Sequence, residues 1–286
     1  MRRGNPKKKF SDFAVTSALN QWTYQDFFNQ MYEIYLNCHR LNHLPSSMNQ
    51  RFIEKTLFER GSIAVFEDEY LGLISLPYNQ AGKPDIYDDP KRIYVYSTTG
   101  YHRYLKSNEF VIIWANESRV PPVEYVELMA WRMYEVQRTI DVNLQNQKNP
   151  KVLKGPEGQK LTIDNLMLKV NGNVPYIPVK KDFKIEVEAL DLSSPFIVDK
   201  LVNYQHELWN TFLTWCGIEN ANRDKRERMV AEEVNANYGN VEMSRKVGMD
   251  ARQTSWKRVN ERFGTQVEVI FNSEIPTLLN QGLPEG

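Results

Sequence analysis

Residues 194–218 read SPFIVDKLVNYQHELWNTFLTWCGI. Ser194 suits a helix cap and Pro195 a first helical turn, where its missing N–H costs nothing. Gly217-Ile218 suits the far end: a glycine for the left-handed residue, then an apolar side chain to fold back on the last turn. The spacing therefore predicts one helix over 195–216, about 33 Å long. At 100° per residue, Leu201, Val202, Tyr204, Leu208, Trp209, Phe212, Leu213 and Trp215 cover roughly half of its circumference, more than the ~100° arc that one neighbour needs.

A second long helix precedes it. VEYVELMAWRMYEVQRTIDVNLQNQK (123–148) follows Pro121-Pro122 and is stopped by Asn149-Pro150, giving about 39 Å. Val126, Met129, Met133, Val136, Ile140 and Leu144 form one apolar stripe, and Leu128, Trp131 and Val142 form another. Two stripes on one helix mean either central burial within one domain or packing between two subunits, and the excess on both helices favours side-by-side assembly. Between the two helices, 150–194 offers short β-like runs with turns at GPEG and NGN. If the helices pair antiparallel, this small insert sits at one tip and the rest of the chain at the other. The fold class predicted is α+β, mainly helical and elongated. Residues 11–43 read as helix, another helix starts near Ser46 or Ser47 and ends at Gly61, and SIAVF, YLGLISL, RIYVYS and EFVIIWA read as strands. ARQTSWKRVNERFG reads as a late amphipathic helix and TQVEVIF as a last strand.

Composition sets the class. The chain has 286 residues, 41% apolar and 25% charged, enough for a folded core in roughly two domains. Its longest apolar run is FVIIWA, far below the ~20 residues of a membrane span, and no signal-peptide pattern follows the basic start, so the expectation is an intracellular chain with no membrane role. Cys38 and Cys216 imply no disulfide framework. Net charge is zero, from 36 basic and 36 acidic residues, but Arg2, Arg3, Lys7, Lys8 and Lys9 crowd the first ten positions. With those five set aside, 31 bases face 36 acids, so a basic arm is attached to an acidic body and suits a phosphate-bearing partner.

No catalytic constellation emerges. No G-x-x-x-x-G-K-[ST] loop is present, and HELWN from His206 has Asn210 where a zinc protease needs its second histidine. His39 and His43 are spaced to share a helix face, yet lack a third ligand, and cationic side chains near a helix C-terminus account for them without metal. The three acids of Asp85–Pro90 fit an exposed turn closed by its proline, and the Asn116 sequon matters only in a secreted chain. The reading is a non-enzyme without cofactor or metal. The remaining signal is GIENANRDKRERMVAEEVNANYGN, where Arg223, Lys225, Arg226 and Arg228 alternate with acids in a segment launched from a helix end. A mixed-charge loop of this kind touches a polyanion without gripping it.

That segment carries a resemblance. VDKLVNYQHELWNTFLTWCGIENANRDKRERMVAEEVNAN, with HLPSSMNQRFIEK and NQKNPKVL, resembles the portal (upper collar, or head–tail connector) proteins of small protein-primed tailed phages of the phi-twenty-nine type. The likeness runs in order through most of the chain. It implies a dodecameric ring in the virion, at one capsid vertex, through which double-stranded DNA passes in packaging and ejection. It also implies synthesis in the host cytoplasm and contacts with major capsid protein, lower collar and tail proteins, packaging ATPase and, in some members, a packaging RNA. On that plan 1–10 is the arm, 11–122 the first stem helix and wing, 123–149 a stem helix, 150–194 a β-rich clip, 195–216 another stem helix, 217–245 a channel loop and 246–286 the rest of a mixed α/β wing. Lys200 matches a channel-facing lysine of the family, and Arg223, Lys225, Arg226 and Arg228 fall in its channel loop. A second channel lysine is missing: the chain has EALDLSSP there, with Asp191 near the place. Trp131, Met133, Val136, Leu208, Trp209 and Phe212 become candidates for subunit packing. The rival reading is a DNA- or RNA-binding adaptor that forms no ring and grips with the arm and the 223–228 cluster.

Overall fold

The computed structural model describes residues 12–148, 151–154, 188–191, 195–220 and 231–272. Two compact units emerge, Met1–Tyr134 with His206–Gly286, and Glu135–Gln205. The architecture is mixed α/β, and about half of the described residues are helical.

The first unit begins with α1 (Asp12–Leu36), β1 (His39–Asn42) and α2 (Gln50–Arg60). It continues through β2 (Ser62–Asp68), β3 (Gly72–Leu76), β4 (Tyr78–Gln80), β5 (Arg92–Tyr96), β6 (His102–Lys106) and β7 (Phe110–Trp114). Strand β2 pairs antiparallel with β3 and β7, and β5 with β4 and β6. SIAVF is apolar without alternation because β2 is central and buried on both faces. Its Ile63 and Val65 join Ile53 and Leu57 of α2 and Trp256 and Val259 of a later helix in one core. Ala64 and Phe66 face the other way, against Ile93, Val95 and Leu105. The opposite face of the β5–β6 hairpin carries Arg92, Tyr94 and Tyr96 beside Lys106, Tyr104 and His102, with Arg92 4.8 Å from the Tyr104 ring centre.

Two boundaries near the start of the chain differ from the sequence expectation. Helix α1 stops at Leu36 and His39–Asn42 is a strand, so His39 and His43 share no helix face. Its partner is β10 (Glu268–Phe271), with His39 opposite Phe271 and Leu41 opposite Val269, a pairing too remote in sequence for local pattern to reveal. Helix α2 starts at Gln50, not near Ser46, because the Asn49 side chain accepts the Phe52 N–H at 2.9 Å. Its end is as expected, with Gly61 at φ +74° donating to the Leu57 carbonyl.

The long helices are α3 (Pro122–Lys148) and α4 (Val198–Trp215). Pro195–Ile197 stay outside α4, and Ser194 lies outside the described residues, so the proposed cap and first turn give way to a different start. The buried Asn143 of α3 holds this entry: its amide donates to the Pro195 carbonyl at 3.0 Å and its oxygen accepts the Ile197 N–H at 3.4 Å. Gln205 donates to Gln137 at 3.0 Å. Later residues of α3 thus meet earlier residues of α4, so within Glu135–Gln205 the two run antiparallel. The ends of the intervening segment close as an antiparallel pair, β8 (Lys151–Lys154) with β9 (Glu188–Asp191), and the rest of the insert lies outside the described residues. The last helix, α5 (Ala231–Phe263), is 33 residues long and takes in 231–245, which the sequence reading had assigned to a loop.

Candidate nucleic-acid and subunit interface

The charged segment after α4 leaves from a fixed root. Gly217 adopts φ +77°, its N–H donates to Thr214 and the Ile218 N–H to Leu213, both at 2.9 Å, and Ile218 is buried. This is the two-bond glycine end expected of the sequence. Arg245 of α5 then grips the Gly217 carbonyl twice, Nε at 3.1 Å and Nη2 at 2.9 Å, and stacks over Phe271 at 4.3 Å. A Cβ on Gly217 would lie 2.8 Å from the Arg245 backbone, so no larger residue fits. Asn220 donates to Thr214 Oγ1 at 2.9 Å. Trp215 stacks on Tyr125 at 4.3 Å and on Tyr35 at 5.6 Å, joining α4 to α3 and α1.

Beneath this root lies a buried polar cluster. Arg252 is fully buried and donates to Glu54 Oε2 at 3.1 Å, Tyr35 Oη at 3.3 Å, the Ala115 carbonyl at 2.7 Å and the Gly248 carbonyl at 3.2 Å. Burial works against its charge, but Glu54 and Tyr35 outweigh burial and raise its pKa. Burial also pushes Tyr35 up to about 12. His39, beside this cluster, is held well below its ordinary value by burial and by the nearby Arg252 charge.

The sequence-predicted site residues separate into three groups. Lys200 is exposed in the first turn of α4, next to Asp199. Arg223, Lys225, Arg226 and Arg228, and the arm residues Arg2, Arg3, Lys7, Lys8 and Lys9, lie outside the described residues. Of the six packing candidates, Met133, Val136, Leu208 and Phe212 are buried within the chain itself. The chain's own fold takes up these four side chains. Trp209 is half-buried, and Trp131 remains 54% exposed, between Tyr24 and Tyr134. Leu128 on the same stripe of α3 is exposed too, as is Trp22 of α1. Sequence reasoning missed Arg245, Arg252 and Glu54. Only the glycine end beside Arg245 was signalled, and nothing distinguished these charges from the other cations and acids.

Among the described residues no helix is long and apolar enough to cross a membrane. Comparison with known proteins places this architecture. A chain of the portal and tail of native bacteriophage P68 superposes with a TM-score of 0.50 at 15% identity, covering 98% of each chain. An HK97-family phage portal protein from Corynebacterium diphtheriae, 10% identical with a TM-score of 0.45 over 94% of this chain and 98% of its own, is too distant to add to the fold assignment. The profile of the Phage Connector (GP10) family matches residues 14–276, nearly the whole chain. The fold and the sequence thus agree, and the chain belongs to the Phage Connector (GP10) family, the head–tail connector or portal proteins.

Proposed function

We propose that twelve copies form a ring of the phi-twenty-nine type, with α3 and α4 as its stem, the 150–194 insert at its narrow end, and double-stranded DNA passing through. The observation that carries the reading is the exposed row of Leu128 and Trp131 on a helix whose other stripe already fills the chain's own core. Exposed aromatic and aliphatic side chains of this kind suit a neighbouring subunit. In a closed ring each subunit offers one surface to the next and receives another, so the same row is used at every joint.

Lys200 and the 223–228 cluster are the proposed channel cations. Each phosphate contact adds counterion-release free energy, so a conduit with many would hold the duplex still. A few cations interleaved with acids, hung from the Gly217–Arg245 root, allow sliding. The arm carries charge of a different use: it docks outside the channel, on the capsid vertex, the packaging ATPase or a packaging RNA.

Native mass spectrometry with negative-stain imaging of the purified chain tests the reading. A single closed assembly of twelve with a central hole is the expected result. A monomer or dimer at micromolar concentration that binds DNA tightly and with steep salt dependence would replace it with the adaptor reading.

A further inference from the structure

Two thiols 178 positions apart meet where α1 and α4 end. Cys38 follows α1, its Sγ–H donating to the Ile34 carbonyl at 3.3 Å. Its backbone is fixed on both sides: the N–H donates to Tyr35 at 3.1 Å and the carbonyl accepts the Asn272 N–H at 2.9 Å. Cys216 is fixed as firmly, since it precedes Gly217 in the helix end that Arg245 clamps. Both cysteines are buried and free, and Cys38 lies near enough to Cys216 to perturb its thiol. They line one cavity of about 230 Å³, together with His39, Trp215, Arg245 and Arg252. None of the residues lining that cavity is acidic. An isolated buried thiol behaves as a small inert hydrophobe. Two that line the same cavity have a different chemistry open to them.

We propose that Cys38 and Cys216 are a paired oxidation site, converted to an intrachain disulfide by a small-molecule disulfide entering this cavity. One cysteine, as thiolate, attacks a sulfur of the reagent, breaks its S–S bond and releases one thiolate. The second cysteine, losing its proton, attacks the protein-side sulfur of the mixed disulfide and releases the other. One S–S bond is broken and one formed; the reagent gains two electrons and two protons as two free thiols, and the two cysteines supply both. Burial raises the Cys216 pKa well above its ordinary value, so the exchange is slow near neutrality and quickens as pH rises. The bond ties the end of α1 to the end of α4, at the root of the charged segment. For a connector carried out of a reducing cell in a virion, it closes after release.

The test uses the full-length chain and bis-hydroxyethyl disulfide, quenched by alkylation in denaturant and read by intact mass and peptide mapping. The expected product has no alkylatable thiol and a single link between the Cys38 and Cys216 peptides of one chain. Its rate rises about tenfold per pH unit below the thiol pKa. In urea the same reagent leaves mainly mixed disulfides, so the ratio of cross-link to mixed disulfide is roughly tenfold higher in the folded chain, where the second thiol is already in place. Cys38→Ser and Cys216→Ser each form no cross-link within the chain. Two fully alkylatable thiols, separate mixed disulfides in the folded chain, or a link between two chains would each overturn the assignment. These readouts need no ring, so they stand or fall apart from the channel reading.

Discussion

Arg252 and Glu54 are 198 positions apart and form an ion pair at 3.1 Å with side chains 0% and 2% exposed. Taking two charges out of water is costly, and only their mutual attraction and the Tyr35, Ala115 and Gly248 hydrogen bonds offset it. Glu54→Gln should therefore destabilise the fold by about 3–5 kcal/mol, seen as a lower denaturant midpoint, because it strands the guanidinium. The double variant Glu54→Leu with Arg252→Met should recover most of the loss; a single variant within ~0.5 kcal/mol of the wild type would remove the pair from the stability argument. His39 gives a pH signature. Its folded pKa is depressed, so below the ordinary 6.5 the unfolded chain takes up a proton that the folded chain refuses. Stability is thus full above that value and falls as pH drops through it toward the folded pKa. Urea titrations between about pH 7 and 5 should show this decline in the wild type and a flatter profile in His39→Gln. The ion pair was not legible in the sequence: Arg252 and Glu54 are each one charge among 72, and only the fold selects the partner.

The elements were more legible where local chemistry settles them. Pro122 at the start of α3, Gly61 after α2 and Gly217-Ile218 after α4 all act within one turn, and their positions could be read directly. The failures were non-local. Strand β1 is a strand only because β10 pairs with it, and α4 starts late because Asn143 of another helix takes the Pro195 carbonyl and the Ile197 N–H. Gly217→Ala tests the element end: the left-handed φ and the 2.8 Å approach of the Arg245 backbone together should cost well over ~1 kcal/mol in thermal or denaturant unfolding. A neutral Gly217→Ala would mean that the Arg245 clamp relaxes freely. On α3 the row left outside the chain's core is the proposed assembly element. Trp131→Glu should leave the far-ultraviolet circular dichroism of the subunit unchanged and reduce ring formation at least tenfold by native mass spectrometry. Rings that persist in Trp131→Glu would move the joint elsewhere.

For the whole molecule, charge is divided by location. The family assignment covers residues 14–276, so the arm of Arg2, Arg3, Lys7, Lys8 and Lys9 precedes the matched body. Deleting 1–9 should leave rings intact and weaken their binding to the motor, an RNA or the capsid vertex, with a shallower salt slope in pull-down titrations. Loss of the rings themselves on that deletion would place the arm in assembly instead. The two long helices could be read from their apolar spacing and their proline and glycine stops, and the portal family from the block at 198–237. Which apolar side chains meet a neighbour could not be read, since an apolar stripe looks the same whether it meets its own chain or another.

The pairing of β1 with β10 also bears on how the protein is made. His39 emerges from the ribosome long before Phe271, its partner, has been translated. Until then β1 is an unpaired edge, Leu41 lacks Val267 and Val269, and the core they share with Ile53, Leu57 and Trp256 stays open. Contacts of such sequence separation form late and slowly. A polypeptide released early by a stalled ribosome is therefore left without its closing strand, and completion of synthesis becomes the checkpoint that a nascent subunit passes before it can join others.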